Sequence, residues 1–407
     1  MDQPAGLRVL ITNNTLDARA GSEIYVRDLA VGLMRRGHWP VVYSSVLGAV
    51  AEDLRRASVP VVDGLSAVGV TPDVIHGQHH MDAMCAMLRF PEVPAVFMCH
   101  GWQPWEEAPP VFPSIRRYIA VDDLCRERIV TTAAIDPAVV RTIYNSVDME
   151  RFRPRPALPA RPLSALVFSN TATDSNFAAT IRAACEAAGI PRIDVVGFGV
   201  QRVVDHPERL LPQYDIVFAK ARCALEALAT GCAVVVADAG GLAGMVTPTN
   251  LDGLRRLNFG VRTLQAQAVT IETIRAAIGH YHPVDCATVT ARIRQDADSR
   301  QMFEALIGCY ADVVAAGSPW SASTAAAFSQ AAASYLAGLA SVVKQRQRVG
   351  AVGLPGSAVG SDAYLPQEME VLVARLHASE QARAAIEGSA TWRLFAPYRR
   401  LRALLRR

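Results

Sequence analysis

Cysteine, aromatic residues and net charge are all in short supply. The eight cysteines among 407 residues (Cys85, Cys99, Cys125, Cys185, Cys223, Cys232, Cys286 and Cys309) stand singly. With no C-x-x-C pair and no metal-ligand spacing, they exclude a zinc-ribbon or disulfide-stapled scaffold and read as small buried residues in a reducing compartment. Lys plus Arg number 41 and Asp plus Glu 38, a net charge of +3, so whole-protein attraction to nucleic acid has no basis and no nucleic-acid partner is expected. No unbroken apolar stretch approaches 18 residues; the Ala-rich run 325–340 is interrupted by Ser329, Gln330 and Ser334 and reads as short for a bilayer span. Met1 to Gly6 offers neither a basic nor an apolar leader region. These absences predict a cytoplasmic protein.

What is present is a globular balance, 51% hydrophobic and 19% charged. At about 100 to 200 residues per domain, the length predicts two domains and a remainder. The first third repeats a short β-branched run, a turn and a helical period. Leu7–Thr12 is a strand, Ser22–Arg36 carries Ile24, Leu29, Leu33 and Met34 on one helical face, and Gly37 ends that helix before Pro40–Tyr43. Further strands are expected at Val59–Val62, Val74–His76, Ala95–Cys99 and Tyr118–Val121. Between residues 153 and 162 four prolines preclude a helix or a central strand. Beyond them the alternation restarts with Ala165–Phe168, a helix over Phe177–Ala188, Ile193–Val196, Ile216–Phe218, a helix over Ala224–Thr230, and Ala233–Ala237. This α/β alternation predicts two doubly wound, Rossmann-like domains. Their bounds are 1–152 and 163–316, with a Pro-rich linker at 153–162. A helical extension at 317–390 contains a Gly-rich link near 350–360, and a distinct tail occupies 391–407.

Ligands of such sheets gather at the carboxyl ends of strands, beside helix N-termini, so those turns carry the candidates. After the first strand, a polar turn delivers Gly21 and Ser22 to a helix start, where backbone N–H groups suit an anion; alternatively Ser22 is simply the helix cap. His100-Gly101-Trp102 and its neighbours Gln103-Pro104-Trp105 place a histidine and aromatic faces where a sugar would fit, or else a packed loop. His76, His79 and His80 lack a carboxylate or cysteine to complete a first shell, and no metal is expected. Val196-Gly197-Phe198-Gly199 begins like a dinucleotide fingerprint, but Arg202 occupies the place of the third glycine. At Tyr214–Leu228 a strand enters a helix whose start carries Lys220 and Arg222, a plausible diphosphate site. Glu226, flanked by apolar residues, suits paired ribose hydroxyls or a buried structural partner. Gly240 and Gly241 supply a glycine turn after a strand, suited to close ligand approach.

In order along residues 7–264, these segments resemble glycosyltransferase family 4 of the GT-B fold. The resemblance rests on Gly21–Leu33 with Arg36-Gly37-His38, Asp73–His76, Val93–Val96 leading to His100-Gly101, and Ile119–Val121. It continues through Tyr144-Asn145-Ser146-Val147-Asp148 and Ala224–Val235. It implies two Rossmann-like domains facing a cleft and a hexosyltransferase-like, metal-independent enzyme with no cofactor. The substrate would be a nucleotide sugar, UDP- or GDP-linked, held by the second domain, and the acceptor a glycan or lipid-linked glycan held by the first. It also implies retention of configuration. On this reading His100 and Glu226 are catalytic, His100 at the transferred sugar and Glu226 on the ribose. Gly21, Ser22, Asn145, Ser169, Asn170, Lys220, Arg222, Gly240 and Gly241 bind the donor.

The sequence also departs from the family. Its usual glutamate eight positions before Glu226 is Phe218, the glycine of its Asn-Gly-Val-Asp segment is Ser146, and its basic pair after the first strand of the second domain is missing from Ser169–Asp174. A catalytically inert homologue and a nucleotide-sugar epimerase of the same fold are the alternatives. In the tail, apolar Trp392, Phe395, Tyr398, Leu401 and Leu404 alternate with Arg393, Arg399 and Arg400. That pattern suits either an anionic membrane surface or docking on the protein body. Similar tails end bacterial surface-polysaccharide glycosyltransferases, so the tail favours peripheral attachment to the inner face of the cell membrane.

Overall fold

The computed structural model describes residues 6–317 and 321–352. The tail residues Trp392, Arg393, Phe395, Arg399 and Arg400, and most of the expected Gly-rich link, lie outside the described residues. Two units divide the chain, Met1–Ala337 and Gly338–Arg407.

Within the first unit, seven parallel strands form one sheet: β1 (Arg8–Thr12), β2 (Trp39–Tyr43), β3 (Val61–Val62), β4 (Val74–Gly77), β5 (Ala95–Cys99), β6 (Ile115–Ala120) and β7 (Val140–Thr142), in the order β3-β2-β1-β4-β5-β6-β7. Helices α1 (Gly21–Met34), α2 (Ala49–Arg56), α3 (His80–Arg89) and α4 (Asp123–Glu127) connect them. All five residues of β5 are buried, as expected of an apolar strand covered on both faces. The positive φ of Gly37 (81°) closes α1, with Gly37 N–H donating to Met34 O and His38 N–H to Leu33 O.

Residues 153–162 contain no helix or strand, and Tyr281 Oη donates to the carbonyl of Pro159 at 2.9 Å. The second sheet has β8 (Ser164–Phe168), β9 (Arg192–Val196), β10 (Ile216–Ala219), β11 (Ala233–Asp238) and β12 (Gly241–Met245), in the order β12-β11-β10-β8-β9. Only β12 runs antiparallel, so Ala239 and Gly240 form a hairpin turn and Gly241 opens β12. Its helices begin with α5 (Phe177–Ala187), α6 (Pro207–Leu210), α7 (Ala221–Thr230), α8 (Leu251–Arg256) and α9 (Val261–Leu264). They end with α10 (Ile271–Gly279) and α11 (Pro283–Asp296). Arg294 of α11 donates to the carbonyls of Met149, Phe152 and Ala229, gathering the chain crossing between the two sheets.

The next helix, α12 (Ser299–Ala315), follows the second domain in sequence but packs on the first. Its Phe303, Leu306, Cys309, Tyr310 and Val313 belong to the first domain's core. Tyr310 Oη and His76 Nδ1 share a fully buried hydrogen bond of 2.7 Å across 234 residues of chain. Helix α13 (Ala322–Val352) continues the dressing of that domain, with Phe328 against Phe112 and Tyr335 Oη 2.8 Å from His80 Nδ1. The apolar run is longer than its interruptions by Ser329, Gln330 and Ser334 imply: Ser323–Gln345, with Lys344 its one charge, is long and apolar enough to cross a membrane by length and composition, with a mean hydropathy of 1.3. The helix also continues through Gly350 to Val352, where the Gly-rich link is expected to begin.

Contact between α1 and α12 depends on Gly32, where an added Cβ would fall 2.0 Å from Cζ of Phe303. Gly32→Ala is therefore expected to destabilise the protein by about 1–3 kcal/mol through overpacking. Urea unfolding checks this; an unchanged midpoint shows that Phe303 moves aside freely.

Candidate active site

Two helix starts and four strand ends converge on one cavity of about 390 Å³. Ala20 and Gly21 at the start of α1, with Arg19, Ile24 and Arg27, form its first-domain wall. Ser169, Asn170 and Thr171 follow β8, Gly197 follows β9, Lys220–Cys223 follow β10, and Asp238 ends β11. The structure thus brings together six residues expected of the donor site: Gly21, Ser169, Asn170, Lys220, Arg222 and Glu226.

The β10–α7 connection is Lys220 alone, an extended residue followed by Ala221 at a left-handed φ of 49°. That conformation costs a non-glycine residue energy, and Ala221 N–H is held by the carbonyl of Phe259 at 3.0 Å. The tight turn aims the first-turn N–H groups of α7, which lack intrahelical acceptors, at the cavity. It also explains Phe218: eight positions before Glu226 lies inside β10, in the fully buried core, with no loop to carry a glutamate into the cleft.

Each expected cation has a carboxylate partner. Lys220 pairs with Asp238, which is fully buried and also accepts from Ser169 Oγ (3.0 Å), Thr171 Oγ1 (2.6 Å) and Ala239 N–H (2.8 Å). Burial pushes the Asp238 carboxyl up, but the charge of Lys220 and these donors hold it below the usual range. Arg222 Nε donates to Glu226 Oε1 at 2.7 Å, and its other arm pairs with Asp28 of α1. Burial disfavours the guanidinium charge, yet Asp28 and Glu226 outweigh it and raise the Arg222 pKa. Asp28 and Asp238 are site residues the sequence reading passes over; the available signal was an acidic residue at a strand end or on the helix face nearest the cleft.

The remaining expected residues lie elsewhere. Ser22 does not cap α1, whose N-cap is Ala20; its hydroxyl donates to Glu23 Oε2 at 3.0 Å. Gly240 and Gly241 are outside the cavity wall, and Gly241 is needed because a Cβ would sit 2.0 Å from the carbonyl oxygen of Leu264. Gly197 and Gly199 similarly let the backbone approach the carbonyls of Ser169 and Ala172, a packing use for the fingerprint-like glycines. Asn145 lines a second cavity of about 430 Å³, which shares Arg27, Arg151 and Arg222 with the first.

His100, at the end of β5, packs edge-on to Tyr25 with ring centroids 4.5 Å apart, and its backbone N–H donates to Glu107 Oε2 at 2.6 Å. It lines neither cavity; Tyr25 stands between its ring and the second one. Burial, then the neighbouring His79 and His76, hold its pKa well below the ordinary value, so the ring is neutral. Trp105 packs edge-on to His80 at 4.4 Å, and Trp102 lies under Arg262, so both tryptophans are spent on packing. His76, His79 and His80 do not form a metal-holding cluster among the described residues.

Two facing doubly wound domains with a cavity between them define the GT-B glycosyltransferase fold. Residues 19–151 match the sequence profile of Glycosyltransferase Family 4. A glycosyltransferase from Rickettsia africae ESF-5 superposes with a TM-score of 0.55 at 11% identity, covering 76% of this chain and 99% of that one. Anabaena HepE in complex with UDP and glucose superposes at 0.52 with 13% identity, over 75% of this chain and 99% of its own. The same protein with UDP alone gives 0.53 at 14% identity, over 75% and 100%. At such identities the likeness is one of fold. No curated protein sequence matches the chain significantly.

The histidine cluster gives the first domain an opposed pair of titrations. Burial lowers His76 from 6.5 to about 3 and His79 to about 4; the unfolded chain binds those protons first, so their contribution is complete above pH 6.5 and fades as pH falls. Burial raises Glu107 from 4.5 to about 7, so its contribution is present below pH 4.5 and is lost as pH rises through about 7. Glu107→Gln removes only the second effect, and its urea midpoint is expected to climb more steeply than that of the unmodified protein between about pH 5 and 7. Parallel profiles would refute the opposition.

Proposed function

We propose that the protein transfers a sugar from a nucleotide-sugar donor to a glycan or lipid-linked acceptor, with retention, in the synthesis of a cell-surface polysaccharide. The observation that carries this reading is the cavity in which Glu226, Lys220, Ser169 and Asn170 meet the starts of α1 and α7. The nucleotide lies against the second sheet, with Glu226 Oε2 accepting from ribose hydroxyls while Oε1 stays with Arg222. The diphosphate lies over the start of α7, where amide N–H groups, the helix dipole and Lys220 offset its charge. The sugar–phosphate bond breaks with its electron pair leaving on the nucleoside diphosphate. The acceptor oxygen bonds to the anomeric carbon on the same face, and its proton passes to the departing phosphate oxygen. Because these groups carry the leaving charge, this scheme needs neither a metal nor a cofactor. His100 acts from behind Tyr25, fixing that ring beside the reacting sugar.

UDP is favoured over GDP because HepE is seen with UDP and glucose. Peripheral attachment at the inner face of the membrane, through Trp392, Phe395 and the tail arginines, suits a lipid-linked acceptor. One observation favours the inert alternative: Lys220 and Arg222 are already matched by Asp238, Asp28 and Glu226. For the enzyme, the incoming diphosphate takes Lys220 over from Asp238.

Thermal unfolding against UDP, GDP and their hexose conjugates decides between the readings, since a ligand at a hundred times its Kd stabilises the native state by about 2.7 kcal/mol. A selective rise with one conjugate, diminished in Glu226→Gln, is expected; no rise with any nucleotide overturns the proposal in favour of the inert homologue. Lys220→Ala is expected to weaken the bound nucleotide about tenfold, the worth of one charge-assisted contact. Calorimetric titration reads this, and equal affinity removes Lys220 from the diphosphate.

A further inference from the structure

The second cavity, about 430 Å³, is large enough for a small saccharide. It lies against α1, the 143–152 segment and the start of α12, and it meets the donor cavity at Arg27, Arg151 and Arg222. Six arginines and four carboxylates line it. The carboxylates are largely spoken for. Asp28 pairs with Arg27 and Arg222, Asp298 with Arg300, and Asp148 accepts the backbone N–H groups of Glu150 and Arg151 at 3.0 Å. Arg151 in turn holds Glu208 at 2.8 Å. What remains is a pair of adjacent cations at the end of α1. Arg35 and Arg36 have no ion-pair partner within 4.0 Å among the described residues.

The C-terminus of α1 welcomes positive charge, and Arg35 and Arg36, both solvent-exposed, stand where the cavity opens to water. Arg36 is held in place, its guanidinium 4.0 Å over the Phe303 ring and donating to Gly32 O at 3.0 Å. Tyr144 adds an aromatic ring to the same wall, suited to the apolar side of a sugar ring.

Resting on the glycosyltransferase reading, we infer that this second cavity is the acceptor site and that Arg35 and Arg36 bind an anionic group, phosphate or carboxylate, carried by the acceptor. The acceptor's reacting hydroxyl then faces the donor where the two cavities meet, at Arg27, Arg151 and Arg222. Its charged end lies at the opposite pole, so the acceptor is oriented by its anion and selected by having one.

The test is calorimetric titration of the full chain with inorganic pyrophosphate and, separately, glucuronate, each with and without saturating UDP. At least one probe is expected to bind in the presence of UDP; pyrophosphate points to a phosphate-bearing acceptor and glucuronate to an acidic sugar. Arg35→Ala/Arg36→Ala should weaken that UDP-insensitive binding about tenfold. Arg55→Ala/Arg56→Ala, which removes two exposed arginines of α2 outside both cavities, should leave it unchanged. Thermal midpoints of both variants without ligand confirm that they fold. No UDP-insensitive binding of either probe, or an equal loss in both variants, overturns the inference. Failure of UDP itself to bind overturns the donor assignment and leaves the Arg35 and Arg36 comparison readable.

Discussion

The half-buried guanidinium of Arg222 is the constraint around which the cleft is organised. It belongs to the first turn of α7 and reaches Glu226 one turn on and Asp28 of α1 across the cleft. Two carboxylates compensate the guanidinium, and removing either leaves part of its charge unmatched at a site that water reaches only in part. That pins the two domains at one point, marks the wall between the two cavities, and sets the orientation of Glu226. Arg151 and Glu208 add a second, partly covered tie, while Arg19 to Asp205, Arg256 to Asp123 and Arg262 to Glu127 are more exposed pairs of modest worth. They set the rim; Arg222 sets the interior.

Much of the framework is legible in the sequence because it is locally encoded. The apolar runs of β1, β5 and β11 are continuous, as strands covered on both faces must be, and α1 and α5 show the helical period at the expected places. Glycine at the end of a helix is likewise a local signal, and both Gly37 and Gly231 serve that purpose. Local reading fails where a residue's role depends on what comes near it. Gly241 looks like a ligand loop and instead permits close backbone packing. The apolar period of α12 announces a helix but not which core it enters. Phe218 looks like a lost catalytic residue only while the β10–α7 connection is imagined longer than one residue.

The site was legible by residue type and position, and its partners were not. Lys220, Arg222 and Glu226 stand out because a strand runs into a helix there, and the cavity does gather them. Nothing in the chain between residues 28 and 222 announces that Asp28 will face Arg222, because that pairing arises only once two domains fold and dock. The histidines at the ends of β4 and β5 show the same limit. Their clustering follows from adjacent parallel strands, but their neutrality follows from burial beside Tyr25 and Tyr310.

The return of α12 to the first domain has a consequence for biogenesis. The first domain emerges early in synthesis, yet part of its interior, Phe303 through Val313, is supplied only after the whole second domain has been made. Until then His76 lacks its Tyr310 partner and apolar surface beside Gly32 is open to water. Closing that contact across 234 residues makes the last assembly step a long-range one, and such closures are slow and leave unfinished surface exposed while they are awaited. The nascent first domain therefore carries an unfilled apolar groove until α12 is made.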